Sequence, residues 1–266
     1  MEAWRDLTPD ALPRAAALSA ACGWNQVQAD WRVFLDHGRA RALDDGHPDM
    51  LAATAAVLPF GPDLAWISMV LVRPDRRRAG LATALMRWAL DALAATRCVA
   101  LDATAEGREV YRRLGFADLW TFTRWSLPDA LPEATPGRGP PADAAALDHA
   151  ALGARRDALL DHLRMRLPAA AVTLPGGAAL GRDGRLASQI GPILAEDDAT
   201  ARALLSRLRS AVNGPLIADL RDGTDLAAWA AASGGTARRR FTRMARGTSP
   251  HGRTALIHAV AGPEFG

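Results

Sequence analysis

Lysine is missing from this chain: every one of its 32 basic residues is arginine, set against 29 acidic residues for a net charge of +3. Together with the abundance of alanine, the bias reads as the codon usage of a GC-rich, bacterial genome. It does not indicate nucleic-acid binding, because acidic residues are interspersed throughout and no basic helix stands alone. Cysteine is almost as scarce. Cys22 and Cys98 are too few and too isolated for a disulfide framework or a thiolate metal site, and Cys98 reads as a small buried residue. His37, His47, His149, His162, His251 and His258 lack ligand spacing, so no metal is expected. There is no apolar run long enough to span a bilayer and no signal-like N-terminus. The reading is a soluble, cytoplasmic protein with no membrane partner. Tyrosine occurs once, as Tyr111.

The informative segment is residues 67–116. A hydrophobic run ends at Val72, the chain turns through Arg73-Pro74-Asp75, and Arg77-x-x-Gly80-x-Ala82 opens an amphipathic helix. A loop at a helix N-terminus supplies main-chain N–H groups that no helical hydrogen bond consumes, and the helix dipole adds positive potential. Gly80 and Ala82 keep side chains away from an approaching diphosphate, while Arg76, Arg77 and Arg78 ring the cradle with charge. The spacing matches neither G-x-G-x-x-G nor G-x-x-x-x-G-K-[ST], which argues against dinucleotide and P-loop sites.

These residues carry a resemblance. Val72-x-x-x-x-Arg77-x-x-Gly80-x-Ala82 resembles motif A of the GNAT N-acetyltransferase superfamily, and Tyr111-x-x-x-Gly115-Phe116 resembles its motif B. The resemblance implies acetyl-CoA as co-substrate, with a bulged strand at Val70, Leu71 and Val72 offering amides to thioester and pantetheine. It implies a pyrophosphate loop of Arg77, Arg78, Ala79, Gly80, Leu81 and Ala82, continued by Thr83, and Tyr111 as proton donor to the departing thiolate. One departure is Thr104, where many members carry asparagine; its hydroxyl replaces part of that contact. The expected fold is α/β, an α+β mixed sheet of the acyl-CoA N-acyltransferase type.

The coarse pattern predicts helices from Thr8 to Cys22 and over Gln26–His37. Strands follow over Arg39–Leu43, Met50–Leu58 and Leu64–Val72, then a helix over Gly80–Thr96. A strand over Cys98–Asp102, a helix over Gly107–Leu114 and a strand over Leu119–Leu127 complete a catalytic domain, 1–127. Residues 128–141 hold five prolines and two glycines and read as a linker. In the second domain, 142–266, strands are expected over Leu186–Ala195, Leu216–Leu220 and Arg238–Ala245, with helices over Asp197–Ala211 and Asp225–Ala232. That order repeats the first half. Phe122-Thr123-Arg124 recurs as Phe241-Thr242-Arg243, and Asp102 corresponds to Asp219, which makes duplication plausible. Glu196-Asp197-Asp198 replaces the glycine loop and no tyrosine follows, so the second copy resembles a degenerate, YitH-type GNAT domain that helps to shape the acceptor pocket.

Tyr111 reads either as the catalytic phenol or as an amphipathic core residue. Asp102 reads either as an acceptor-orienting carboxylate or as an N-cap, and Asp102 and Glu264 are the candidate bases. Three functions follow: an acetyl-CoA-dependent N-acetyltransferase acting on a primary amine, of a small molecule first of all, or else on a protein N-terminus or lysine; a non-catalytic acyl-CoA sensor; and a structural or partner-binding protein with a vestigial site. A monomer or homodimer is expected.

Overall fold

The structure, a computed structural model, describes residues 3–248 and 252–266; His251 lies outside the described residues. The first half contributes strands β1 (Ala3–Asp6), β2 (Arg39–Asp44), β3 (Ala53–Pro59), β4 (Ala65–Val72), β5 (Cys98–Ala103) and β6 (Ala117–Leu127). Its helices are α1 (Leu12–Ala21), α2 (Gln28–His37), α3 (Leu81–Ala92) and α4 (Ala105–Arg113). In the second half come α5 (Ala144–Leu152), α6 (Asp157–Arg166), β7 (Val172–Leu174), β8 (Gly177–Arg182) and β9 (Ser188–Ala195). They are followed by α7 (Asp198–Ala211), β10 (Leu216–Arg221), α8 (Asp225–Ala232), β11 (Thr236–Gly247) and β12 (Ile257–Ala259).

Alternation explains how the central strands are covered on both faces. Ala56, Leu58 and Trp66 pack with Leu18, Trp31 and Phe34 of α1 and α2. Val57, Ala65 and Ile67 point the other way, onto Met86 and Ala89 of α3. A period of two sends neighbours to opposite faces, and a strand buried on both reads as a continuous apolar run.

All strands join one mixed sheet of twelve, ordered β1-β2-β3-β4-β5-β11-β6-β10-β12-β9-β8-β7. The halves exchange their last long strands. β11 of the second half pairs with β5 of the first, and β6 of the first pairs with β10 of the second. The two exchanged strands then pair with each other, with Phe122 opposite Phe241. The repeated tripeptide thus marks the local pseudo-twofold: the two rings stack at 5.1 Å between centroids. On either side Arg124 grips Asp219 (2.8 and 2.7 Å) and Arg243 grips Asp102 (2.9 Å on both oxygens). Both carboxylates are fully buried. Arg243 is also sandwiched between Trp66 and Trp120, 4.6 and 4.4 Å from the ring centroids.

Several expected boundaries move. The strand expected from Met50 starts at Ala53, and the helix expected to reach Thr96 ends at Ala92. The strand expected over Arg238–Ala245 extends to Thr236–Gly247. Sequence reading missed β1, α5, α6, β7, β8 and β12, all short or weakly periodic. Residues 128–141 carry no helix or strand, yet they lie fastened to α7. Thr200 Oγ1 accepts from Gly137 N at 3.1 Å, and Ser206 Oγ donates to the Pro132 carbonyl at 2.9 Å. The chain's last residues return to the first half. Phe265 is fully buried, stacked on Phe34 at 5.7 Å, and Trp66 Nε1 donates to the Pro263 carbonyl at 3.0 Å.

Candidate active site

Strands β4 and β5 run parallel but pair only at Ala65–Val99 and Trp66–Ala100. Beyond Trp66 they part, and β4 carries a register shift against β3, between Thr54 and Ala56. Met69 sits there in the left-handed region, with φ 53°. An irregularity of this kind leaves residues out of the ladder and re-aims the strand, so main-chain groups around Val70 face the gap rather than a neighbouring strand.

At the end of β4 the chain turns into α3. Arg78 has φ 67° and Gly80 φ 77°, a conformation natural to glycine and uncommon elsewhere. A Cβ at Gly80 would touch nothing within 4 Å, so it is the backbone angle and not clearance from the protein that demands glycine here. Gly80 is the N-cap of α3 with no side-chain capping bond, and the first main-chain bond of the helix is Ala84 N to the Gly80 carbonyl, 3.1 Å. The N–H groups of Leu81, Ala82 and Thr83 are thus left to the cleft, the arrangement that favours an anion.

The loop is braced by charge. Asp45 accepts from Arg73 at 2.7 Å and from Arg76 at 2.6 Å, and the Arg73 hydrogen bond holds its carboxyl down at about 2. Arg76 thus serves the brace while also lining the cleft as expected; Arg77 and Arg78 line it without a carboxylate partner among the described residues.

The cleft encloses about 600 Å³. Val70, Leu71, Val72, Arg77, Arg78, Gly80, Leu81, Ala82, Thr83, Thr104 and Tyr111 all line it. Of the expected cofactor residues, Ala79 alone is outside the lining. Thr104 is the N-cap of α4, accepting from Gly107 N at 3.4 Å; the capping role considered for Asp102 falls to this residue. Tyr111 is half-buried against Phe116, with ring centroids 6.3 Å apart. Desolvation pushes its hydroxyl up to about 12, which keeps the proton on oxygen at neutral pH.

A smaller cavity of about 70 Å³ opens off the cleft, lined by Met69, Asp102, Tyr111, Phe241 and Glu264 among others. Asp102 is there, but both its oxygens are held by Arg243, so using it as a base means breaking a buried ion pair. Burial raises its carboxyl, opposed by Arg243. Glu264 pairs with Arg182 through one oxygen; its Oε2 has no partner.

Three contributors escaped sequence reading. Trp24 lines both cavities, and Arg239 reaches the cleft from the second half. Gly107 lies one turn before Tyr111, and a Cβ there would come within 2.9 Å of Tyr111 Cε2. A glycine inside a helix is costly and signals close approach; that signal was readable.

The matching place in the second half is closed in three ways. Asp197 caps α7, accepting from Thr200 N at 2.7 Å, and so consumes an N–H that α3 leaves open. The linker covers the same helix end at Thr200. Strand β12 pairs with both β9 and β10 and fills the gap where they part.

Both halves match family models. Residues 2–116 match the Acetyltransferase (GNAT) family, and residues 144–259 match a second model, Acetyltransferase (GNAT) domain. No curated protein matches the sequence. Among solved structures, a candidate acetyltransferase from Pyrococcus horikoshii superposes with TM-score 0.81 at 17% identity, covering 100% of this chain and 96% of that one. A GCN5-related N-acetyltransferase from Sphaerobacter thermophilus gives 0.64 at 17% identity, covering 93% and 97%. A tandem GNAT protein from the clavulanic acid biosynthesis pathway gives 0.61 at 15%, covering 92% and 98%. At such identities the likeness is one of fold.

Proposed function

The chain is two GNAT domains in tandem, and from that premise we propose that its first half is an acetyl-CoA-dependent N-acetyltransferase acting on a primary amine of a small molecule. The observation that carries the reading is the uncapped, left-handed entry into α3 opposite the irregular end of β4, with Tyr111 across the same cleft. Leu81, Ala82 and Thr83 offer N–H groups to the diphosphate, with Arg77 and Arg78 beside them. Bound there, acetyl-CoA supplies the acetyl thioester. Main-chain N–H groups near Val70 polarise the carbonyl while a neutral amine attacks directly; as the C–N bond forms and the C–S bond breaks, Tyr111 gives its proton to the leaving sulfur, and the proton lost by the amine nitrogen passes through water to restore the phenol. Cys22 lines the cleft, but its thiol is pushed up by burial and donates to the Val72 carbonyl at 3.8 Å, and Cys98 is buried outside the cleft, so direct attack by the amine needs neither as a nucleophile. Asp102 belongs to the ion pair rather than to proton transfer.

The test is thermal unfolding with acetyl-CoA, CoA and NADH, followed by turnover on an amine library. At a hundred times its Kd a ligand stabilises by ~2.7 kcal/mol. Both CoA species should shift the transition and NADH should not. Gly80→Asp, which gives α3 the acidic cap that Asp197 gives α7, should abolish the shift. Tyr111→Phe should lower kcat by ~10²–10⁴-fold with acetyl-CoA binding retained. Absence of any CoA-dependent shift refutes the reading, and binding without turnover on any amine leaves an acyl-CoA sensor.

A further inference from the structure

A third cavity, of about 580 Å³, lies between the two halves. It shares Trp24, Phe241 and Pro263 with the small cavity that holds Glu264, and the small cavity shares Val70, Thr104 and Tyr111 with the cofactor cleft. The three run end to end, and Tyr111 stands where the first two meet. A ternary complex needs a second entrance, and this is the one the structure offers.

We propose that the cavity between the halves is the acceptor site, and that its ligand is a small amine carrying a carboxylate at its far end. This rests on the acetyltransferase reading. Four observations carry it. The volume falls in the range of small-ligand sites, and Trp24, Ile217 and Phe241 give it apolar walls. Gln26 lines it, is 3% exposed, and its side-chain carbonyl has no hydrogen-bond partner. A buried acceptor left unpaired is costly, and a ligand N–H or O–H would satisfy it.

The charge along the line is ordered. Glu264, 1% exposed, lies in the inner cavity with one carboxylate oxygen unpaired, which suits an amine N–H. Arg238 lies at the outer cavity and donates to the Ser126 hydroxyl at 2.8 Å. It meets no carboxylate among the described residues, which leaves guanidinium donors for an anion. Arg124, also in the wall, is taken by Asp219. Asp129 lines the cavity as well, and Arg239 beside Arg238 keeps the balance positive. An acceptor with its amine inward and a carboxylate outward fits this order.

The experiment compares short ω-amino carboxylates with their carboxamides as acetyl acceptors, in wild type and Arg238→Gln. Wild type should prefer the carboxylates by ~10- to 100-fold in kcat/KM, the gap lying in KM, as expected for a charge-assisted hydrogen bond. Arg238→Gln should erase that gap by raising KM for the carboxylates alone. Equal use of both series, or a KM increase common to both, overturns the inference. Should neither series turn over, calorimetry with CoA bound decides it: no binding of the carboxylates overturns it too. Acetyl-CoA binding, measured in parallel, separates these outcomes from failure of the acetyltransferase reading.

Discussion

Gly107→Ala should lower activity without lowering stability. A Cβ at this position would lie 2.9 Å from Tyr111 Cε2, 3.2 Å from Cζ and 3.3 Å from the hydroxyl oxygen. Carbon pairs prefer about 3.5–4.0 Å, so the ring must retreat by roughly 0.6–1 Å. The residues are half-buried, and the ring can swing outward at small packing cost. Alanine meanwhile gains up to ~1 kcal/mol over glycine inside a helix. A displacement near 1 Å in a group that must meet a reacting atom costs on the order of 10²-fold in rate. The expected result is a melting temperature equal to or above wild type, unchanged acetyl-CoA affinity, and kcat down by about 30- to 100-fold. In a Tyr111→Phe background the substitution should change kcat by less than about 2-fold, because the group it displaces is already gone. Full additivity of the two losses, or an unimpaired single variant, would refute the placement of Tyr111 by Gly107.

Three other substitutions probe the frame. Asp45, held at about 2 chiefly by its hydrogen bond from Arg73, has a folded value below its unfolded one. It stabilises fully above about pH 4, and its ~2 kcal/mol is lost as pH falls toward 2. Asp45→Asn should flatten that part of the acid limb in urea unfolding, and an unchanged limb would dismiss the brace. Asp102→Asn strands the buried Arg243 guanidinium and should cost ~3–5 kcal/mol, most of it recovered in Asp102→Asn,Arg243→Met; a stable but inactive double variant would return Asp102 to the chemistry. Phe265→Ala, removing a fully buried ring stacked on Phe34, should cost ~3–5 kcal/mol by chemical denaturation, and a loss under 1 kcal/mol would deny the tail its anchoring role.

The strand–loop–helix side of the candidate site was legible because its pattern is local. An apolar strand, an arginine–glycine turn and a helix follow one another in sequence, and the N–H groups that face the cleft belong to consecutive residues. Asp102 was not legible, because its partner Arg243 lies 141 residues away and nothing in either neighbourhood announces the pair. The repeat of Phe-Thr-Arg pointed to duplication, yet an exchanged strand and an unexchanged one carry the same alternation, so no pattern could place β11 beside β5. Strand β12 spans only Ile257–Ala259, too short for periodicity to register, although it closes the second cleft. Arg239 and the cavity between the halves depend on that exchange and were hidden with it.

The exchanged strands also impose a timetable. β11 begins at Thr236, well after β6 ends at Leu127. At common synthesis rates of ~5–20 residues per second, those roughly 110 residues take about 5–20 s to emerge. Through that interval the nascent first half has β5 with a bare edge, and until β10 emerges at Leu216–Arg221 β6 has neither permanent neighbour, the state most open to pairing with a stranger. A cut in the linker would not release two working halves, since each would leave with the other's strand. The first half is therefore finished only when the second arrives, which gives the second copy a reason to persist: it is the template on which its twin becomes whole.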